Sequence, residues 1–161
     1  MTVARLRASR VRNNRRPGHD GEMTWIAPAP SPDINGPLAG AERPMLEAYL
    51  ASKRATVRAI CAGLDGEQLA RRSAPPSTLS LLGIVRHLAK VERVWFRQRV
   101  AGEESRQADA AAAAVSLDHT FVLRGETHSL LMVYLHMIAE YARHNGHADL
   151  LRESIDGVTG V

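Results

Sequence analysis

The chain has 161 residues, of which 45% are hydrophobic, so it can bury one ordinary core and we expect a single folded domain. No apolar run approaches the roughly 18 to 20 residues that span a bilayer, which excludes a transmembrane helix. The single cysteine, Cys61, excludes an intramolecular disulfide framework. A lone cysteine suits a reducing compartment, so we expect a cytoplasmic protein in which Cys61 is a small buried hydrophobe.

The net charge of +4 belongs to residues 1–22, which hold six arginines and two acids, whereas the remaining residues carry equal numbers of basic and acidic groups. The composition of residues 1–22 predicts a disordered basic tail, because the segment has neither the apolar core of a signal sequence nor aromatic side chains between its arginines. Three interpretations stay open: an arm that contacts nucleic acid or acidic surfaces, an organelle presequence, or a segment upstream of a true start at Met23, which we favour. We expect no nucleic-acid partner for the folded part.

The next segment, residues 23–44, is rich in proline and glycine, which predicts an extended strap over the surface of the domain that follows. The main domain is predicted over residues 45–157. Its first helix is predicted over residues 45–62, with Pro44 in the first turn and Gly63 directly after the end.

A short turn of helix at residues 65–69 precedes a second long helix, predicted over residues 79–100. On this helix His87 shares a face with large apolar residues, while the arginines and the lysine occupy the opposite face, so we expect His87 to face the core. A lone histidine in such a place is more often a hydrogen-bonded core residue than a metal ligand.

The third helix is the weakest part of the pattern, because residues 107–115 include a run of five alanines, residues 110–114, and few large side chains. Residues 121–126 are interpreted as a loop. The last helix is predicted to begin at Thr127 or Ser129 and to end near Ser154. Since we find no convincing strand, the predicted fold is an all-α antiparallel bundle.

Four metal-capable side chains lie on one line of the last helix. At about 100° per residue, His136, Glu140, His144 and His147 fall within about 80° of one another, on the apolar side of the helix. Imidazole and carboxylate groups buried without partners cost several kcal/mol. These side chains therefore need hydrogen bonds, each other, or a metal ion.

A catalytic metal site needs three protein ligands and an open position, and two ligands often come from one helix at positions i and i+4. Glu140 and His144 have this spacing, and His87 on another helix can supply the third ligand. The alternative is a buried ladder of hydrogen bonds between histidine and glutamate without a metal, which serves packing specificity.

Two stretches, residues 79–96 and 136–153, resemble the DinB-like superfamily, and most closely an uncharacterised actinobacterial branch sometimes labelled mini-circle protein. The resemblance covers most of residues 23–160. It implies a four-helix bundle, often dimeric, that holds zinc or nickel through a histidine of the second helix and two ligands one turn apart on the last helix.

Carried over residue by residue, the implied ligands are His87, Glu140 and His144. Glutamate at the first position of the last-helix motif also resembles the mycothiol-dependent maleylpyruvate isomerase branch. His147 stands where the family motif has glutamine, so it becomes a group behind the ligands or a proton carrier. We expect His147 or His136 to move protons during the reaction.

The resemblance implies a small-molecule substrate and a low-molecular-weight thiol, such as mycothiol or bacillithiol. We therefore expect a metal-dependent thiol transferase or isomerase, because coordination favours the nucleophilic thiolate. Hydrolysis is the second enzymatic option. The alternative from another class is a non-catalytic stress or accessory protein whose metal site is structural or vestigial.

The chain departs from the family pattern between the second helix and the last helix, where residues 101–115 are several turns shorter than usual. A stunted third helix leaves apolar stripes of the other helices uncovered. We expect a second copy of the chain to cover them, in a homodimer.

Overall fold

The computed structural model describes residues 15–17, 23–29, 36–100 and 115–160. This part of the chain is mostly helical, and none of its helices is long and apolar enough to span a bilayer. In chain order the elements are β1 (Arg15–Pro17), β2 (Met23–Trp25), α1 (Glu42–Cys61), α2 (Gly66–Ala70), α3 (Leu81–Glu92), a π-helical segment (Arg93–Val100), β3 (Thr120–Leu123), β4 (Glu126–Ser129) and α4 (Leu130–Asp156).

Helix α1 begins three residues before the predicted start, at Glu42, so that Pro44 lies in its first turn. Proline is tolerated there because the first N–H groups of a helix have no partner within the helix. The helix ends at Cys61, and Gly63 follows with φ +81°, a left-handed conformation that glycine adopts at little cost.

Serine caps begin both helices that carry the candidate ligands. The Ser80 side chain accepts a hydrogen bond from the backbone N–H of Gly83, and the Ser129 side chain accepts one from Met132 at 3.2 Å. Such caps satisfy donors that a helix leaves unpaired at its start. Of the two predicted starts of the last helix, the one at Ser129 is confirmed; the helix ends at Asp156, two residues beyond the predicted end near Ser154, and Gly157 follows it with φ 78°.

Helix α4 packs against α1 and α3, and these three helices enclose the core. The apolar face that the sequence predicted for α4 is buried, including Val133 and Met137. Asn145, a polar residue, is buried as well, and its Nδ2 donates to the backbone carbonyl of Lys53 at 3.1 Å. Cys61 is buried as predicted, which raises the pKa of its thiol.

The sequence prediction of a loop at residues 121–126 was wrong. Strands β3 and β4 pair antiparallel, with Thr120 opposite Ser129 and Leu123 opposite Glu126. Thr, Phe and Val favour strands, but the turn between them is Arg124-Gly125, which lacks the Asn-Gly or Asp-Gly signature of a two-residue hairpin. The hairpin was therefore missed.

The second long helix has the predicted C-terminal end, but its last third, Arg93–Val100, is π-helical rather than α-helical. Wider i→i+5 turns of this kind are rare and occur often at functional sites. The predicted third helix at residues 107–115 falls outside the described residues apart from Val115. A four-helix bundle therefore stays a prediction.

The predicted tail and strap are described only in part. Within the tail, Arg15–Pro17 pairs antiparallel with Met23–Trp25. Within the strap, Ala27 is buried and exchanges backbone hydrogen bonds with Gly63 and Leu64, which follow α1. The strap thus contacts the domain here, and the predicted domain limits stay predictions.

Candidate metal centre

His87 of α3 and two side chains of α4, Glu140 and His144, come together where the two helices meet. Each of the three offers a ligand atom, and these atoms lie within 4.8 Å of one another. His87 Nε2 lies 3.6 Å from Glu140 Oε2, and His144 Nε2 lies 3.6 Å from the same oxygen. The i, i+4 spacing on α4 and the crossing of α3 thus bring together the three residues that the sequence singled out.

The donor set of this triad fits a divalent cation. Bonds of about 2.0 to 2.1 Å in tetrahedral geometry place neighbouring ligand atoms about 3.4 Å apart, so the two separations of 3.6 Å from Glu140 need little adjustment. The ligand atoms of the two histidines lie within 4.8 Å of each other and would move closer together around an ion. Two imidazole nitrogens and one carboxylate oxygen are donors that suit zinc and nickel. Three ligands also leave a fourth position open, as in catalytic zinc sites.

The three side chains differ in exposure. The side chains of Glu140 and His144 are 12% and 16% exposed, whereas that of His87 is 46% exposed. The prediction that His87 faces the core was wrong, because Ile84 and Leu88 fill the buried face of α3 and His87 lies at its edge. The triad is therefore closed on the α4 side and accessible on the α3 side.

Electrostatics favours the protonation states that a metal site needs. Burial raises the pKa of Glu140, but the cation Arg143, at 2.6 Å from Oε1, and the hydrogen bond with His87 prevail, so the pKa lies below its ordinary value. Burial and the neighbouring His87 lower the pKa of His144. At neutral pH both effects favour an ionised carboxylate and a neutral imidazole, the forms that bind metals.

The two predicted proton carriers, His147 and His136, contact different parts of the site. His147 Nδ1 lies 3.4 Å from His144 Nδ1, on the ring edge opposite the candidate ligand atom, and His147 is exposed. The ring centroid of His136 lies 5.1 Å from that of Trp95 on the π-helical segment. His147 is thus placed behind a ligand, whereas His136 contacts a wall of the adjacent cavity.

That cavity has a volume of about 510 Å³ and includes His87 in its wall. One wall is the second half of α3 with the π-helical segment, and the other is the β3–β4 hairpin. The cavity could not be predicted from the sequence, because the hairpin that forms one of its walls was interpreted as a loop. The lining residues are His87, Lys90, Val91, Val94, Trp95, Arg99, Leu123, Arg124, Glu126 and His128.

A second polar cluster, formed by Glu92, Tyr141 and Arg54, was not predicted from the sequence. The Tyr141 hydroxyl donates to Glu92 Oε2 at 2.9 Å, and the Arg54 guanidinium donates to Glu92 Oε1. Glu92 therefore links α1, α3 and α4. One of its partners, Tyr141, directly follows Glu140 in the chain. An acidic residue at the end of α3 carries no pattern that predicts these partners.

Comparison with known proteins gives one match. No curated protein and no solved structure matches the chain. The family model described as mycothiol-S-transferase matches residues 45–107 and 102–157, which together cover the helices described above and all three residues of the triad. The two segments overlap at residues 102–107, within the interval that the sequence identified as shortened. The chain therefore belongs to the mycothiol-S-transferase family, a DinB-like family, which confirms the resemblance to the DinB-like superfamily.

Proposed function

We propose that this chain is a divalent-metal-dependent enzyme that transfers or isomerises a small molecule through the sulfur of a mycothiol-type thiol. The observation that carries the proposal is the cluster of His87, Glu140 and His144, whose ligand atoms lie within 4.8 Å of one another. Membership of the mycothiol-S-transferase family supports the thiol as cosubstrate.

These three residues would hold a divalent cation, which would lower the pKa of a coordinating thiol and so favour the nucleophilic thiolate at neutral pH. The chain supplies the remaining conditions. Glu140 brings the negative charge, Arg143 keeps this carboxylate ionised, and the exposed side of His87 gives a thiol access to the site. The partly buried α4 side limits water around the ligands.

His147 and His136 take different parts in this proposal. If His144 bound the metal through Nε2, its Nδ1 would carry the ring proton and donate it in a hydrogen bond to His147 Nδ1, so His147 would orient the ligand ring. His136 contacts Trp95 on the cavity wall, which makes it the better placed of the two to exchange a proton with a substrate there.

The test is a conjugation assay with mycothiol and 1-chloro-2,4-dinitrobenzene, followed by absorbance at 340 nm. We expect thiol-dependent turnover with zinc or nickel, loss of turnover in EDTA, and recovery on adding either ion. Glu140→Gln should lower the rate by at least about 100-fold, since a lost ligand costs more than a lost residue that only hydrogen-bonds to a ligand. His119→Gln, which changes an exposed histidine outside the triad, is the matched control.

Three outcomes would contradict the proposal. Turnover that persists in EDTA would mean that the metal takes no part, and metal binding without any thiol-dependent turnover would favour the accessory protein with a structural or vestigial site. Turnover that needs the metal but not the thiol would favour a hydrolase, in which a metal-activated water replaces the thiol.

A further inference from the structure

The cavity beside the triad has a composition that the metal site does not explain. We propose that it binds the acceptor substrate and selects a molecule with a carboxylate group on a flat apolar body. The role as acceptor site rests on the proposed function, whereas the binding preference follows from the cavity alone. A volume of about 510 Å³ lies within the range of about 300 to 1,000 Å³ that is typical of small-molecule sites.

The charged side chains of the cavity are mostly cations. Lys90, Arg99 and Arg124 line it, against one carboxylate, Glu126. Glu126 Oε2 lies 3.9 Å from His128 Nε2, so this carboxylate has a partner within the same wall. Within the described part of the chain, no carboxylate pairs with any of the three cations. A concave surface with this excess of positive charge attracts anions.

Arg124 gives the second, independent observation. It is the one residue other than glycine with positive φ, at 55°, within the described ranges, and it occupies the first central position of the hairpin turn. Asn, Asp or Gly is favoured there, and a bulky side chain in this conformation is strained because its Cβ lies too close to the backbone. The arginine does not help the turn, but it brings a guanidinium to the cavity. Backbone strain of this kind occurs often at ligand-binding sites.

The opposite wall, which carries Lys90 and Arg99, also offers apolar and aromatic surface. Along the π-helical segment, Phe96 and Val100 are buried in the core, while Trp95 and Arg99 line the cavity one turn apart. The Trp95 ring centroid lies 6.0 Å from that of His128. A flat apolar body can therefore pack on Trp95 while its carboxylate contacts the cations, since arginine pairs with carboxylates in a bidentate geometry.

The position of His87 connects this cavity to the triad. His87 lines the cavity and also offers a ligand atom to the metal site. A molecule in the cavity therefore lies next to the place where a thiol would be held. Acceptors that carry a carboxylate would be positioned for reaction, and neutral analogues would lack the anchoring contact.

The experiment uses the full chain with Trp25→Phe, which leaves Trp95 as the only tryptophan of the two in the chain. Cinnamate and its neutral analogue cinnamamide are titrated while Trp95 fluorescence is followed, with zinc-loaded and with EDTA-treated protein. We expect cinnamate to bind at least about 10-fold more tightly than the amide in both forms, and to weaken in 0.5 M salt because the attraction is electrostatic.

Arg124→Asn is the decisive variant, because asparagine suits the turn while it removes the charge. We expect its affinity for cinnamate to fall about 5- to 10-fold, with unchanged affinity for cinnamamide and an equal or higher melting temperature. Arg86→Gln changes an exposed arginine of α3 outside the cavity and should leave both affinities unchanged. Equal binding of acid and amide by the parent protein, or unaltered cinnamate binding by Arg124→Asn, would overturn the proposal.

These results separate this inference from the proposed function. If EDTA-treated protein prefers cinnamate but the conjugation assay shows no metal dependence, the cavity preference stands and the proposed metal-dependent function fails. If metal-dependent thiol transfer is found and the cavity does not distinguish acid from amide, the enzyme stands and the substrate class inferred here is wrong.

Discussion

Removal of one hydroxyl group, in Tyr141→Phe, tests whether the Glu92 cluster holds the three core helices together next to the triad. The hydroxyl is part of a buried residue of α4 and donates to the Glu92 carboxylate of α3 at 2.9 Å, while Arg54 of α1 contacts the other oxygen. The substitution removes this hydrogen bond and keeps the ring that packs in the core.

The expected cost can be worked out from this geometry. A hydrogen bond to a charged group contributes about 1.5 to 3 kcal/mol. We expect the lower end, about 1.5 kcal/mol, because Glu92 keeps its contact with Arg54 and its side chain is 20% exposed. For a chain of this length such a loss lowers the melting temperature by about 5 °C.

Tyr134→Phe is the matched control on the same helix. Its hydroxyl donates to Glu47 at a longer distance, 3.3 Å, and the Glu47 side chain is 44% exposed. We expect a loss of about 0.5 kcal/mol or less, since water can replace an exposed partner.

Urea unfolding followed by circular dichroism measures both losses, with the m-value required to stay constant. A double-mutant cycle of Tyr141→Phe with Glu92→Gln should give a coupling of at least about 1 kcal/mol. Equal losses for the two tyrosine variants, or a coupling below about 0.3 kcal/mol, would refute the role assigned to this cluster.

Three further predictions concern the helix α4 and the tail. Gly146→Ala should raise the free energy of unfolding by about 0.5 to 1 kcal/mol, because Gly146 lies within α4 with open space around it. Gly157→Ala should lower the free energy of unfolding, because Gly157 has φ 78°. A change of the reverse sign in urea unfolding, for either variant, would contradict this. The hydrogen bond from Arg152 lowers the pKa of Asp156, so its contribution to stability is present above the ordinary aspartate pKa of about 3.9 and is lost as the pH falls through the lower folded value. Asp156→Asn should therefore lose less stability than the parent between pH 5 and pH 2, and equal losses would argue against the pairing. A chain that begins at Met23 should keep the melting temperature of the full chain in calorimetry, although it loses the three-residue pairing of β1 with β2; a clear drop would mean that the tail docks on the domain.

The helical part of the fold could be predicted from the sequence because its signals are local. The 3.6-residue period of α4 indicated which side chains are buried, and Ser129 marked its start. The spacing of Glu140 and His144 placed two candidate ligands on one line of that helix. These features depend on helix geometry, which a single sequence carries.

The remaining features depend on contacts between distant residues. The exposure of His87 follows from how α3 crosses α4, and the burial of Asn145 depends on a carbonyl of α1. The β3–β4 hairpin has an arginine at a turn position that usually carries Asn, Asp or Gly, so its signature is absent. Self-association, which was predicted from the shortened interval at residues 101–115, stays a prediction and can be tested by sedimentation equilibrium.

Elemental analysis of protein purified without a polyhistidine tag tests the metal assignment most directly. We expect about one zinc or nickel ion per chain, and sharply lower content in His87→Ala, Glu140→Ala and His144→Ala with largely unchanged helicity. His147→Ala should retain the metal, because His147 lies behind His144. Full metal occupancy in His144→Ala would contradict the assignment. Loss of metal in His147→Ala, with retention in Glu140→Ala, would mean that His144 and His147 are the ligand pair of α4.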